Sequence, residues 1–290
     1  MKPPIRRLAW LLPAIALALF VASCSELPTS PDVSDEIERP GAQPSASANH
    51  LTMGNPSGAV ASVNNPTNYL MTKAQYTLSY HRDNGIPNWT AWHLNSSWLG
   101  STARQDDFRV DDTFPASEPQ ASLADYSGSG YDRGHMCPSA DRTLTVAANQ
   151  QTFFLTNMVP QAANNNQGPW AAMENDLRAI VQTGKELFII SGGTFSASSN
   201  RIGSGVVVPD QTFKVVVVLD AVGQGPSSVT TSTRVIGVMM PNENNLISRT
   251  ADWRSFRVSV DSIEAATGDN FLSDVDPAVQ AVIEARVDNQ

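Results

Sequence analysis

Cysteine is nearly absent from this chain, with two in 290 residues, which excludes the disulfide framework of a small secreted scaffold. Basic charge is also scarce. Nineteen lysines and arginines stand against 28 acids, for a formal charge of −9. Removal of residues 1–23 would make the chain more acidic still, because Lys2, Arg6 and Arg7 go and no acid does. Such a chain is a poor general electrostatic trap for nucleic acid. A polyanion could be held only in a locally basic cleft, helped by a metal cation. There is no internal repeat, and the apolar run from Leu8 to Ala22 is too short to span a membrane comfortably. What remains is 41% hydrophobic and 16% charged, a balance that supports a packed core in one large or two small domains.

The N-terminus reads as an export signal. Lys2, Arg6 and Arg7 precede the apolar run, and Val21-Ala22-Ser23-Cys24 is similar to a bacterial lipobox, in which the cysteine is lipidated and becomes the new N-terminus; a plain signal peptide is the alternative. Residues 1–23 are therefore expected to be a lipoprotein-type signal peptide. Acyl chains on Cys24 would anchor the protein to a membrane. Ser25 resembles the residue found in chains sorted to the outer membrane, so the expected location is exported and outer-membrane anchored, on the periplasmic or surface face. Residues 24–66, rich in Pro, Ser, Asn and Gly, read as a flexible tether, leaving 67–290 as the folded domain and Cys137 as a lone thiol with a packing role.

Within that domain the expected class is α+β, with a mainly antiparallel central sheet of about six strands flanked by helices. Gln75–Tyr80 and Trp89–Leu94 read as strands around the turn 83–87. Glu186–Gly192, Gly205–Pro209, Phe213–Leu219 and Thr233–Met240 read as central strands. Val146–Phe154 reads as a short helix. The strongest helix follows Pro169, which suits a first turn, and stops at Gly184. Trp170, Met173, Leu177, Ile180 and Val181 make its buried stripe. Val260–Ala266, ended by Gly268, and a last helix from Asp276-Pro277 complete the set. The second half of the chain offers no catalytic constellation.

Chemistry concentrates in Tyr131-Asp132-Arg133-Gly134-His135-Met136-Cys137-Pro138-Ser139-Ala140-Asp141-Arg142. Gly134 is expected to let the backbone turn so that Arg133 and His135 aim into one cleft. A neutral imidazole can take a proton from water, and a guanidinium can bind a phosphate. Asn166 sits just before the strongest helix, and Glu174 and Arg178 lie four apart on it, so the row 166–170–174–178 can face one cleft. Taken alone, Glu174 and Arg178 are an i,i+4 surface pair, Arg104 an ordinary surface arginine, and His81 and His93 structural. A zinc site at His135 and Cys137 lacks partners at ligand spacing.

Tyr131–Arg142, Leu155–Gln161 and Asn166–Arg178 together resemble the DNA/RNA non-specific endonucleases, which include mitochondrial endonuclease G and belong to the ββα-metal (His-Me finger) superfamily. The resemblance continues through Leu187–Gly193 and Val258–Phe271 and so covers most of residues 67–275. It implies a ββα-metal catalytic element and Mg²⁺-dependent hydrolysis of phosphodiester bonds in DNA and RNA, with Mn²⁺ as a substitute and 5′-phosphate products. It further implies that His135 is the general base and Asn166 the direct Mg²⁺ ligand. Glu174 would hold metal-bound water, and Arg178 would stabilise phosphoryl charge. Arg133 and Arg104 would contact substrate phosphates, and Asn157 would support the site's geometry. A homodimer is compatible with this reading. The rival from another class is a catalytically silent membrane-anchored lipoprotein that uses the nuclease fold as a binding module; net acidity favours it, and the intact His135, Asn166 and Glu174 oppose it.

Overall fold

The computed structural model describes residues 50–290; the signal peptide, Cys24 and the first part of the expected tether lie outside them. The chain runs through β1 (Tyr69–Thr72), β2 (Thr77–His81) and β3 (Ile86–Leu94), then a ribbon of β4 (Asp132–His135) and β5 (Met158–Gln161). After β6 (Glu186–Thr194) come the two-residue strands β7 (Arg201–Ile202) and β8 (Val206–Val207). β9 (Gln211–Leu219), β10 (Arg234–Pro241) and β11 (Arg257–Val258) follow. The helices are α1 (Leu123–Tyr126), α2 (Val146–Gln151), α3 (Ala163–Asn165), α4 (Ala171–Val181), α5 (Val260–Thr267) and α6 (Pro277–Ile283).

Seven strands form one sheet in the order β1-β2-β3-β6-β9-β10-β11, every neighbouring pair antiparallel. Side chains alternate across a strand, and β9 shows both faces at work. Phe213, Val215 and Val217 pack on one side with Val260 and Ile263 of α5 and Ile283 of α6. Val216 and Val218 pack on the other with Met173, Leu177 and Val181 of α4 and Met136, Met158 and Val159 around the ribbon. Burial on both faces is the reason Val215–Leu219 of this strand is a continuous apolar run rather than an alternating one. The mainly antiparallel α+β architecture expected from the sequence is thus present.

Three local expectations need correction. Gly205–Pro209 is not a central strand: only Val206 and Val207 pair, with Arg201 and Ile202, because Gly203 (φ +51°) and Gly205 (φ +123°) close a tight turn between them. The turn expected over 83–87 ends at Gly85 (φ +66°), and Ile86 and Pro87 already belong to β3. Residues 50–66 are packed rather than tethering. Met53 and Ala59 lie in the core behind the sheet, Leu70 N–H donates to Val60 O (3.0 Å), and Trp89 Nε1 donates to Ser57 Oγ (2.9 Å). The polar residues that suggested a linker supply turn contacts instead, as when Asn55 Oδ1 accepts from Ala59 N (3.0 Å). The helix ends behave as read. Gly268 closes α5 in the left-handed region (φ +79°), and Asp276 caps α6 ahead of Pro277.

His50 and His93 stack near Trp98 beneath this frame, with ring centroids 5.7 and 5.0 Å from it. Burial first, and then the Arg142 charge, lower their pKa values to about 3 and about 4. Unfolding lets both imidazoles take up protons near the ordinary value of 6.5, so their contribution to stability is complete above that pH and lost as pH falls toward 3. Urea denaturation should show stability falling between pH 7 and 4, with a shallower fall in His93→Gln.

Candidate active site

β4 and β5 pair with Asp132 opposite Gln161, Arg133 opposite Pro160, Gly134 opposite Val159 and His135 opposite Met158. Alternate residues of a strand share a face, so Arg133 and His135 are presented together by strand geometry rather than by a turn at Gly134. Gly134 serves close approach instead. A Cβ there would stand 2.1 Å from Gln161 Oε1 and 2.6 Å from Gln161 Cβ. Asn157 braces the chain beyond His135 and is wholly buried. Its Oδ1 accepts from Cys137 N (3.0 Å), and its Nδ2 donates to Cys137 O and Thr152 O (2.9 Å each). Cys137 is a buried thiol pushed up to about 12 by burial.

His135 packs against Phe108 and Phe153, at centroid distances of 5.5 and 4.9 Å, and its Nε2 is buried without a hydrogen-bond partner among the described residues. Burial, followed by the charges of Arg104 and Arg133, lowers its pKa to about 3, so the ring is neutral at pH 7. The same two aromatic rings seat the arginines. Arg133 lies 4.0 Å over Phe108 and Arg104 4.8 Å over Phe153. Arg104 also donates to Ser139 Oγ (3.0 Å) and Asp106 Oδ1 (2.6 Å).

Arg104, Arg133 and Asn166 line one cleft of about 560 Å³ together with Asp106, Phe108 and Asp132. Two arginines face two aspartates there, so the cleft lining is not basic by itself. Asp132 Oδ2 accepts from Asn166 Nδ2 (2.8 Å) and from Gln167 Nε2 (2.7 Å). That contact engages the amide nitrogen of Asn166 and leaves its carbonyl oxygen, the atom able to ligate a hard cation, without a partner among the described residues.

The row 166–170–174–178 does not form one helical face. Residues 166–170 make a single wide π turn ahead of α4, and Gly168 departs from helical geometry (φ −113°, ψ −116°) where the Arg249 backbone crosses it. Asn166 turns to Asp132, whereas Trp170 is buried in the core, 1% exposed. Glu174 and Arg178 do not pair with each other, and neither lines the cleft. Arg178 Nη1 donates to Asp141 Oδ1 (2.7 Å), whose Oδ2 accepts from Trp92 Nε1 (3.0 Å). Glu174 Oε1 lies 3.7 Å from Lys214 Nζ, an ion pair longer than a hydrogen bond, and the Lys214 ammonium sits 3.7 Å over the Trp170 ring. Burial outweighs that attraction, pushing Glu174 up and Lys214 down from their ordinary values. Lys214, from the second half of the chain, is a buried partner of Glu174 that the sequence reading did not single out. A lone cation in the apolar run Phe213–Leu219 was its sequence signal. Asp132 and Asp141 were inside the quoted stretch, but their partners could not be read from it.

The ribbon brings Asp132 and Arg133, and the turn ahead of α4 brings Asn166, to one cleft beside the antiparallel sheet, whereas His135, Glu174 and Arg178 stand outside its lining. The solved structure of an EndoG/EndoGI complex is similar to this chain with a TM-score of 0.65 and 25% identity, covering 81% of this chain and 94% of that one. The family model for DNA/RNA non-specific endonucleases matches residues 54–278. A nuclease of a Nostoc species is 47% identical over 274 residues, 94% of this chain and 96% of that protein. Mitochondrial endonuclease G of Bos taurus is 28% identical over 219 residues, 71% of this chain and 70% of that protein. The chain belongs to the DNA/RNA non-specific endonuclease family.

Lys214→Met would leave Glu174 buried without its neutralising partner, at a cost of about 3 kcal/mol, the low end for a broken buried pair because the Glu174 side chain keeps 14% exposure. Urea denaturation of this variant beside wild type checks it.

Proposed function

We propose that this nuclease is an exported, Mg²⁺-dependent enzyme that hydrolyses phosphodiester bonds in both DNA and RNA, anchored to the outer membrane through lipidated Cys24. The observation that carries the metal-dependent reading is the Asp132–Asn166 contact, which fixes the Asn166 amide and leaves its carbonyl oxygen for a cation in a cleft flanked by two arginines. Asn166 would hold Mg²⁺ with water completing its shell, and Mn²⁺ would substitute. Bound there, the cation would supply positive charge to the leaving oxygen, undiminished because the ligand is neutral. It would also supply what a cleft of two arginines and two aspartates lacks for a polyanion.

Arg104 and Arg133 bind the phosphate. Their charges also depress His135, so an entering phosphate that neutralises them makes the imidazole a better base. His135 takes a proton from water as the water oxygen attacks phosphorus. The P–O3′ bond breaks, giving a 5′-phosphate and a 3′ oxygen that takes a proton from solvent to become a hydroxyl. By family resemblance Arg178 would stabilise the charge that accumulates on the phosphoryl oxygens and Glu174 would hold a water of the cation. Neither lines the cleft here, Arg178 being paired with Asp141 and Glu174 with Lys214. The export and anchor rest on Lys2, Arg6, Arg7, the apolar run and Cys24.

Plasmid DNA and RNA should both be degraded by the full-length chain with Mg²⁺ and spared with a chelator. His135→Ala should lose ~10²–10⁴-fold in rate while its circular dichroism stays that of wild type. Equal degradation by both proteins would remove His135 as the base. Degradation of neither polymer by the wild-type chain would remove the activity.

A further inference from the structure

The sheet face opposite the cleft carries α5 and α6, and there Asp261, Glu264 and Glu284 bring one carboxylate oxygen each to within 4.8 Å of one another. Asp261 and Glu264 lie three apart on α5 and so share a side of it. Glu284 follows α6 as its capping residue, and the Asp261 N–H donates to its carbonyl (3.2 Å). Glu264 is held in place by the Phe271 N–H (2.9 Å). Among the described residues, no lysine, arginine or histidine forms an ion pair with any of the three.

A second observation distinguishes this triad from an ordinary acidic surface. Glu284 is only 5% exposed, and its Oε1 is buried with no hydrogen-bond partner among the described residues, while the Gln280 side chain reaches its carboxylate. A carboxylate in that position is ordinarily paired or bound to a metal.

We propose that Asp261, Glu264 and Glu284 form a structural divalent-cation site of the Ca²⁺ type that ties α5 to the chain following α6. An all-oxygen set suits a hard cation, and the gradation from exposed Asp261 to buried Glu284 leaves an entry path and room for water. The site is separate from the catalytic cleft. Glu284 also lies beyond residues 54–278, the stretch matched by the family model, so the complete triad is not accounted for by family membership.

Thermal unfolding of the full-length chain in EDTA and in about 5 mM Ca²⁺ tests this, with Glu284→Gln, Asp261→Asn and Asn166→Ala beside wild type. At ten times the dissociation constant, Ca²⁺ should raise Tm by roughly 3–6 °C in wild type and in Asn166→Ala. The rise should vanish in Glu284→Gln and Asp261→Asn. Glu284→Gln keeps the side chain's shape, and exposed Asp261 carries the test should Glu284→Gln not fold. No rise in wild type overturns the proposal, as does a full rise in either carboxylate variant. Loss of the rise in Asn166→Ala would overturn it too, by placing the Ca²⁺ effect in the cleft.

Discussion

The site depends on one hydrogen-bonded junction, the Asp132 carboxylate accepting from the side chains of Asn166 and Gln167. Asp132 opens β4, and Asn166 opens the π turn that leads into α4. The contact therefore joins the ribbon that carries Arg133 and His135 to the helix that carries Glu174 and Arg178. It also settles which atom Asn166 offers to the cleft. A charged acceptor makes such hydrogen bonds stronger than neutral ones, and the wide turn gives Asn166 the freedom to reach it without displacing Trp170 from the core.

Behind that junction the protein buries charge on a scale unusual for an interior. Lys214 and Arg142 are entirely buried, Asp141 nearly so, and each answers to a partner. Arg142 donates to the carbonyls of Gln75, Asp141 and His93. Asp141 divides its oxygens between Arg178 and Trp92, and Lys214 lies between Glu174 and Trp170. Buried ion pairs contribute little net stability but are costly to break, so this network selects one arrangement of α4 over the sheet. Its indole and ammonium contacts reach from β3 and β9, which makes the central strands part of the site's support.

Much of this was legible in the sequence wherever local chemistry decides structure. The antiparallel strands Glu186–Gly192, Phe213–Leu219 and Thr233–Met240 and the helix caps at Gly268 and Asp276 could be read because composition, turn residues and periodicity act over a few positions. Illegibility begins where long-range contact decides. Residues 50–66 have a linker's composition yet pack under the sheet. Gly134 is required by Gln161, which lies 27 residues further on in the chain. The helical row from Asn166 to Arg178 assumed a continuous α-helix, and a crossing backbone at Arg249 breaks it. Lys214 finds Glu174 only once β9 has docked beneath α4.

On the proposed function, Asp132 prepares Asn166 to hold a cation. The most direct measurement is the Mg²⁺ concentration needed for half-maximal DNA cleavage by Asp132→Asn beside wild type. Because partners that orient a metal ligand typically matter 10–100-fold, the variant should require at least about 10-fold more Mg²⁺ while remaining folded. An unchanged Mg²⁺ requirement in a folded, active variant would contradict the account.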